Sequence, residues 1–510
     1  MSRARRSAAI PPRRRWRRRL GWLGAAALAD AAARGVEGAL RPLPPGLNVR
    51  GALAPADEVT FLADVTAIGA PPGAADTPPA GALADGWTRR VDQTIFDAVF
   101  ALIDGARHGV VVDMFLYNRW QGARPERTRP LTEQLTERLV AKRRDVPAAD
   151  VVLITDPINT VYGSVASPDL DALRAAGVTV IVTELARLPD SNPLWSGPWR
   201  AFVAPLGTAG RGWLPNPFDP RGPAVTARAW LAMLNFKANH RKVAIADTPD
   251  GPAAIVTSAN PHNGSSAHGN VALRVRGPVV ADLVASERAV AALSGAALPE
   301  LPWAAAPAAT APPADAPRVG VLTERAIRDA VLDAVGAAGE GDRVDVAVFY
   351  LSQRDVITAL AAAAARGAQV RVLLDPNKDA FGRTKNGVPN RPVAAELRRR
   401  GVDVRWCDTH GEQCHAKLVL VRRAGGAATL VLGSANLTRR NIDGLNLETN
   451  LVVEAPATAP VMADAAAYLE RSWTNAGGLV VSTDYGAYGE DGWFKRLLYR
   501  VMEATGLSTF

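Results

Sequence analysis

Five stretches of this 510-residue chain occur twice, in the same order. "VVVDMFLYN" at 110–118 returns as "VDVAVFYLS" at 344–352, "VVLITDP" at 151–157 as "VRVLLDP" at 370–376, and "LRAAGVTV" at 173–180 as "LRRRGVDV" at 397–404. "HRKVAIAD" at 240–247 then pairs with "HAKLVLVR" at 415–422, and "IVTSAN" at 255–260 with "LVLGSAN" at 430–436. An ordered repeat of this kind dictates two copies of one supersecondary module. Within each copy, short β-type runs alternate with helical segments rich in alanine and arginine, such as "DVITALAAAAARG" at 355–367 and "PVAAELRRRG" at 392–401. Gly177 and Gly401 follow such segments, where helix stops belong. Strand, helix, strand order predicts an α/β fold with a mixed, largely parallel sheet in each copy.

The repeat also divides the chain. Residues 46–297 hold the first copy and 318–482 the second, and "LPELPWAAAPAATAPPADAP" at 298–317 between them reads as an extended linker. The two glycines lie 224 residues apart but His240 and His415 only 175, so the first copy carries 49 additional residues, roughly 185–235. That insertion holds Trp195, Trp199, Trp213 and Trp230, four of the twelve tryptophans. A long insertion in a compact domain is often functional. Its tryptophans suit either a water–lipid boundary or packing against the core. Residues 483–510 include Trp493, Leu497, Leu498, Val501 and Met502 at helical spacing, which predicts an amphipathic helix docked on the core or on a membrane surface.

The net charge of +9 is concentrated. Residues 1–19 hold nine arginines and no acid, so the remainder is neutral. The body therefore lacks the overall basic bias of a nucleic-acid binder. Residues 1–45 read as a basic arm that meets anionic lipid, as an export signal, or as a disordered tail, "IPPRRRW" favouring disorder as far as Trp16. No uninterrupted apolar run reaches the roughly 18 residues of a membrane span. The two cysteines, Cys407 and Cys414, fit neither a disulfide framework nor zinc spacing, and both a single bridge and two free thiols stay open.

Chemistry resides in the two His-x-Lys stretches. Alternate residues of a strand share a face, so His240 and Lys242 point one way, as do His415 and Lys417. If the copies pack about a pseudo-twofold axis, the four side chains meet in one pocket with Ser258, Asn260, Ser434 and Asn436 of the "SAN" segments. This set suits a phosphate diester. Lysine neutralises non-bridging oxygens, and serine and asparagine add neutral donors. One neutral imidazole can attack phosphorus while the other, protonated, serves the leaving alcohol and later deprotonates the incoming one. Neither motif offers a carboxylate cluster for a metal, so no metal or cofactor is expected.

With the spacing on the page, "HRKVAIAD" resembles the His-x-Lys-x4-Asp signature of the phospholipase D superfamily, and "HAKLVLVR" fits all but its last place. "TSAN" and "GSAN" are similar to the family's downstream segment, and the resemblance covers most of 100–480. It implies two α/β/α lobes with one active site at their interface and a phosphohistidine intermediate. It further implies His240 as nucleophile, His415 as acid, Lys242 and Lys417 beside them, and phosphate binding by the two serines and two asparagines. Asp247 and Glu448 are the supporting acids. Two departures stand out. Arg422 replaces the second aspartate, on the strand face opposite His415 and Lys417. Some relatives, such as tyrosyl-DNA phosphodiesterases, lack that aspartate too. The family often places an acid about thirty residues after each histidine to orient it. Glu448 stands 33 residues after His415, but Ala272 occupies that place 32 residues after His240. Either His268 or Asn270 orients His240, or its activity is lowered, or His415 is the nucleophile.

The motif does not separate the superfamily's phospholipases, phosphatidyltransferases, nucleases and inactive members. The neutral body argues against nucleic acid. The tryptophan-rich insertion and the arginine arm favour a phospholipid substrate at a membrane surface, with the protein peripheral and either cytoplasmic or exported. Cardiolipin synthases of the family usually begin with membrane-spanning helices, and none is evident, which tilts the expectation to phospholipase D-type hydrolysis over phosphatidyl transfer. A binding protein on a catalytically decayed fold is the non-enzymatic alternative. No obligate protein partner is expected, because one chain supplies both halves of the site.

Overall fold

The computed structural model describes residues 12–69, 88–123, 129–305, 316–380, 383–508 and 510. Part of the arginine-rich start (1–11) and the middle of the proline-rich linker (306–315) lie outside the described residues. Two nine-stranded mixed sheets carry the fold, and their central strands run in matching order. The first reads Glu58–Gly69, Asn270–Arg276, Gly251–Thr257, Lys242–Thr248, Gly109–Met114, Asp150–Thr155, Thr179–Val182. The second reads Arg318–Thr323, Thr449–Pro456, Ala427–Gly433, Lys417–Arg422, Arg343–Val348, Gln369–Leu374, Asp403–Cys407.

The parallel share of each sheet is smaller than expected. Only the last three strands of each series run parallel, and the other central pairings are antiparallel. Chain length explains this: Thr248 to Gly251 and Arg422 to Ala427 are hairpin distances, too short for a crossover helix. Side-chain alternation splits each His-x-Lys strand between two cores. Val243 and Ile245 join Leu418 and Leu420 in a shared core between the lobes. Ala244 and Ala246 face the outer helices of the first lobe, and Val419 and Val421 those of the second. Strands buried on both faces read as near-continuous apolar runs, as these do.

Short strands tie the lobes together. Ala54–Pro55 lies near the start of the first-copy span yet edges the second sheet against Arg318–Thr323. Leu479–Val480 lies at the end of the second-copy span yet edges the first sheet against Glu58–Gly69. The basic start, which the sequence leaves open as an arm, an export signal or a disordered tail, is helical from Pro12 to Ala39. It packs on the helix Pro193–Pro198 of the insertion, where a Cβ on Gly197 would lie 2.2 Å from the Ala31 carbonyl oxygen. Glycine is therefore required for that close approach. Among the described residues, no helix is long and apolar enough to cross a membrane. Cys407 and Cys414 form a disulfide.

The C-terminal helix runs Trp493–Thr505, but its apolar stripe does not all face inward. Tyr499 and Glu503 are buried, with Leu498 and Met502 packed beside them. Trp493 is 73% exposed, and Phe494, Leu497 and Val501 also face outward.

Candidate active site

The backbone sets the two histidines before any side chain does. Asn239 forms an isolated parallel bridge with Leu447 of the other lobe, and Gly269 forms the counterpart with Cys414. His240 N–H donates to Leu447 O at 2.8 Å, and His415 N–H to Gly269 O at 2.7 Å. Each histidine is thus pinned to the opposite lobe, and the residue after each bridge partner lies beside it. Glu448 follows Leu447, and its carboxylate meets His240 Nδ1 at 2.9 and 3.0 Å. Asn270 follows Gly269, and its Oδ1 meets His415 Nδ1 at 3.1 Å, beside the Ser258 carbonyl at 3.0 Å.

This corrects two expectations. Glu448 supports His240, not the histidine of its own copy, and Asn270 supports His415, not His240. Ala272 is not the counterpart of Glu448. Ser258 N–H bonds to Val271 O as Ser434 N–H bonds to Thr449 O, which equates Asn270 with Glu448. The connection after "SAN" is two residues shorter in the first copy, so counting onward from that segment overshoots by two. Ala272 itself is core.

Lys242 and Lys417 adopt one geometry: each Nζ donates to the carbonyl of its own histidine at 2.7 Å. Each also lies over an aromatic ring, Phe115 at 5.1 Å and Phe349 at 5.3 Å. Those rings contact His240 and His415 with centroids 4.8 and 5.2 Å apart. Ser258 and Ser434, expected as phosphate donors, point elsewhere. Ser258 Oγ donates to Asn270 Oδ1 and Ser434 Oγ to Glu448, so both brace the groups that hold the imidazoles. Asn260 and Asn436 do line the cavity.

Asp247 accepts from the backbone N–H groups of His108 and Gly109 and meets His108 Nδ1 at 2.6 Å, fastening the strand edge. Arg422 reaches Asp345 on the neighbouring strand at 2.9 Å. It shares the strand face of Leu418 and Leu420, away from Lys417, and fastens the edge with reversed charges.

Sequence reasoning overlooked Asp156 and Asp375 of the repeated Asp-Pro. Asp156 accepts from Asn239 N–H at 2.7 Å and Asp375 from Cys414 N–H at 2.9 Å, one residue before each histidine. Burial pushes both carboxyls up to about 7. Their recurrence at matching places in both copies was the available signal.

The cavity measures about 510 Å³ and takes wall residues from both lobes. The insertion contributes Phe218, Trp230, Met233 and Leu234. Trp230 thus reaches the site, Trp195 packs inward with its Nε1 on Leu231 O, and Trp213 is exposed. Burial lowers His240 to about 4, against the pull of Glu448, and lowers Lys242 to about 7. Burial, then Lys417, holds His415 well below its ordinary value, and burial, then Lys242, does the same to Lys417. Burial works to raise Glu448, but His240 and Lys242 overcome it and hold the carboxylate low. Among the described residues, no three His, Cys, Asp or Glu side chains gather as a metal-ligand set.

Residues 331–473, which include His415, Lys417 and Glu448, match the family described as "Cardiolipin synthase, PLD-like domain". The second lobe is thus similar to a phospholipase D-like domain. The two-lobed fold is also seen in a solved structure. Phosphatidylserine synthase from Haemophilus influenzae Rd KW20 superposes with a TM-score of 0.53 at 11% identity, over 90% of this chain and 94% of that one. Nuc from Salmonella typhimurium, a phospholipase D family member, aligns over 33% of this chain and 98% of its own, at 21% identity and a TM-score of 0.26. No curated protein sequence matches the chain.

Proposed function

We propose that this chain is a phospholipase D-like enzyme that transfers a phosphatidyl group from a phospholipid diester to a second alcohol through a covalent phosphohistidine. The observation that carries the reading is the pair of imidazoles on one cavity, each held at Nδ1 from the opposite lobe. An acceptor on Nδ1 fixes that nitrogen as the protonated one and leaves Nε2 for the reaction. His240 Nε2 attacks phosphorus while His415 Nε2–H gives its proton to the departing alcohol oxygen as the P–O bond breaks. Neutral His415 then takes the proton of the incoming alcohol, whose oxygen attacks phosphorus as the P–N bond breaks. Lys242, Lys417, Asn260 and Asn436 stabilise the non-bridging oxygens. Glu448 offsets the positive charge that His240 acquires on bonding to phosphorus. The neutral partners of His415 offer no such compensation, which favours His240 as nucleophile.

Two observations favour transfer over hydrolysis, the second reading. The matching family is named for cardiolipin synthase. The cavity wall is also largely aromatic and aliphatic, including Phe115, Phe349, Phe218, Trp230 and Met233, and suits an alcohol borne on a lipid better than free water.

A peripheral place at a lipid surface fits the outward face of the C-terminal helix. Exposed Trp493 and Leu497 line a groove with Arg399, Arg400, Arg496 and Arg500, against which the described residues set only Asp491 and Glu396. Aromatic rings and guanidinium groups together suit an anionic bilayer interface.

The full chain should be incubated with phosphatidylglycerol. Cardiolipin with free glycerol supports transfer, and phosphatidic acid with glycerol supports hydrolysis. Unchanged lipid with cleaved single-stranded DNA would overturn the lipid reading. Turnover persisting in both His240→Asn and His415→Asn would overturn the mechanism.

A further inference from the structure

The cavity holds more positive charge than one diester requires. None of its wall residues is an aspartate or glutamate, whereas Lys237, Lys385 and Arg440 all contribute. Lys237 is neutralised by Asp190 at 2.7 Å. The other two are not, among the described residues. Arg440 makes no ion pair, lies over the Phe236 ring at 4.8 Å, and donates through Nη2 to the Ser508 main-chain carbonyl and hydroxyl. Its Nε is buried and meets no acceptor. Glu503 acts on it through space, but the Glu503 oxygens are taken by Ser352 Oγ and Arg439 N–H. Among the described residues Lys385 Nζ bonds to Tyr350 OH alone, and it lies over that ring at 4.7 Å. Both cations border the same cavity and are linked by a chain of contacts. Tyr350, under Lys385, contacts Phe510 with centroids 6.1 Å apart, and Phe510 O accepts from the hydroxyl of Ser508, the residue that holds Arg440.

A desolvated guanidinium without a direct ion pair is unfavourable unless an anion completes it. Lys242 and Lys417 already serve the reacting phosphate in the reading proposed above, on which this inference rests. The geometry points to a second anion subsite formed by Arg440 and Lys385, which binds a further negative group of the substrate, carried as a second phosphate or as a headgroup carboxylate. Bidentate and charge-assisted bonds from arginine suit either group.

Calorimetric titration of the full chain with inorganic phosphate, inorganic pyrophosphate and O-phosphoserine tests this without relying on turnover. Pyrophosphate tighter than phosphate assigns the subsite to a second phosphate, and O-phosphoserine tighter than phosphate assigns it to a carboxylate. In Arg440→Gln the preference over phosphate should fall roughly ten- to a hundredfold, the worth of a hydrogen bond to a charged group. Lys385→Gln, on the half-buried rim, should lower it in the same direction, and Arg440→Lys should restore part of it. Equal affinity for all three anions in the wild type, or a preference intact in both glutamine variants, overturns the subsite. Loss of lipid turnover by the wild type, with the anion preference intact, would instead overturn the phosphatidyltransferase reading alone.

Discussion

At the residue scale, the two histidines are alike in position and unlike in partner. A carboxylate favours the protonated ring, so Glu448→Gln should lower the His240 pKa further below its value of about 4. In the proposed mechanism neutral His240 attacks, so the acid limb of kcat/KM should move to lower pH. The plateau should fall roughly ten- to a hundredfold, because a charge-assisted hydrogen bond to the developing cation is lost. The converse experiment is Asn270→Asp. A carboxylate on His415 Nδ1 raises a pKa that burial now depresses. Since protonated His415 is the proposed acid, the alkaline limb should move to higher pH. A pH–rate series on the two variants checks both signs, and matching shifts in one direction would contradict the assigned roles.

At the scale of elements, the His-x-Lys strands and the repeated Asp-Pro were legible because each is local and occurs twice. Loop length was not. A connection shorter by two residues moved the orienting group from Ala272 to Asn270, and residue counting has no access to that. The C-terminal helix gives a second case. Helical spacing found its apolar stripe, but the buried contacts fall on Tyr499 and Glu503, and Trp493 and Leu497 face outward. Periodicity marks a face without saying what covers it. Trp493→Ala with Leu497→Ala should weaken sedimentation with phosphatidylglycerol vesicles while leaving the melting temperature nearly unchanged. Arg496→Glu with Arg500→Glu should weaken it at low salt and matter less at high salt, because screening shortens the reach of surface charge.

At the scale of the molecule, one active site is shared between lobes that are also stitched together. Fully buried Arg241 of the first lobe is paired with Glu287 of its own lobe at 3.2 Å and with Glu324 of the second at 2.8 Å. Glu324 in turn accepts from Glu448 N–H. The edge strands Ala54–Pro55 and Leu479–Val480 are exchanged. Residues 46–297 alone lack Glu448 and His415, so each half expressed singly should show no turnover. Mixing the purified halves should restore it. Activity in residues 46–297 alone, measured by lipid product formation, would contradict a site completed across the interface.

The sequence by itself determined that the chain is a duplicated α/β protein, and it named both histidines, both lysines and both asparagines of the candidate site. Those features recur in order, and strand alternation fixes which side chains share a face. Only the tertiary structure decided which residue serves which histidine, because the orienting groups cross from one lobe to the other over 208 and 145 residues. It also moved Ser258 and Ser434 from the cavity to the backing of Glu448 and Asn270. A one-dimensional repeat records what each copy contains. The contacts between copies are set by how two sheets pack face to face, and no spacing within one copy encodes them.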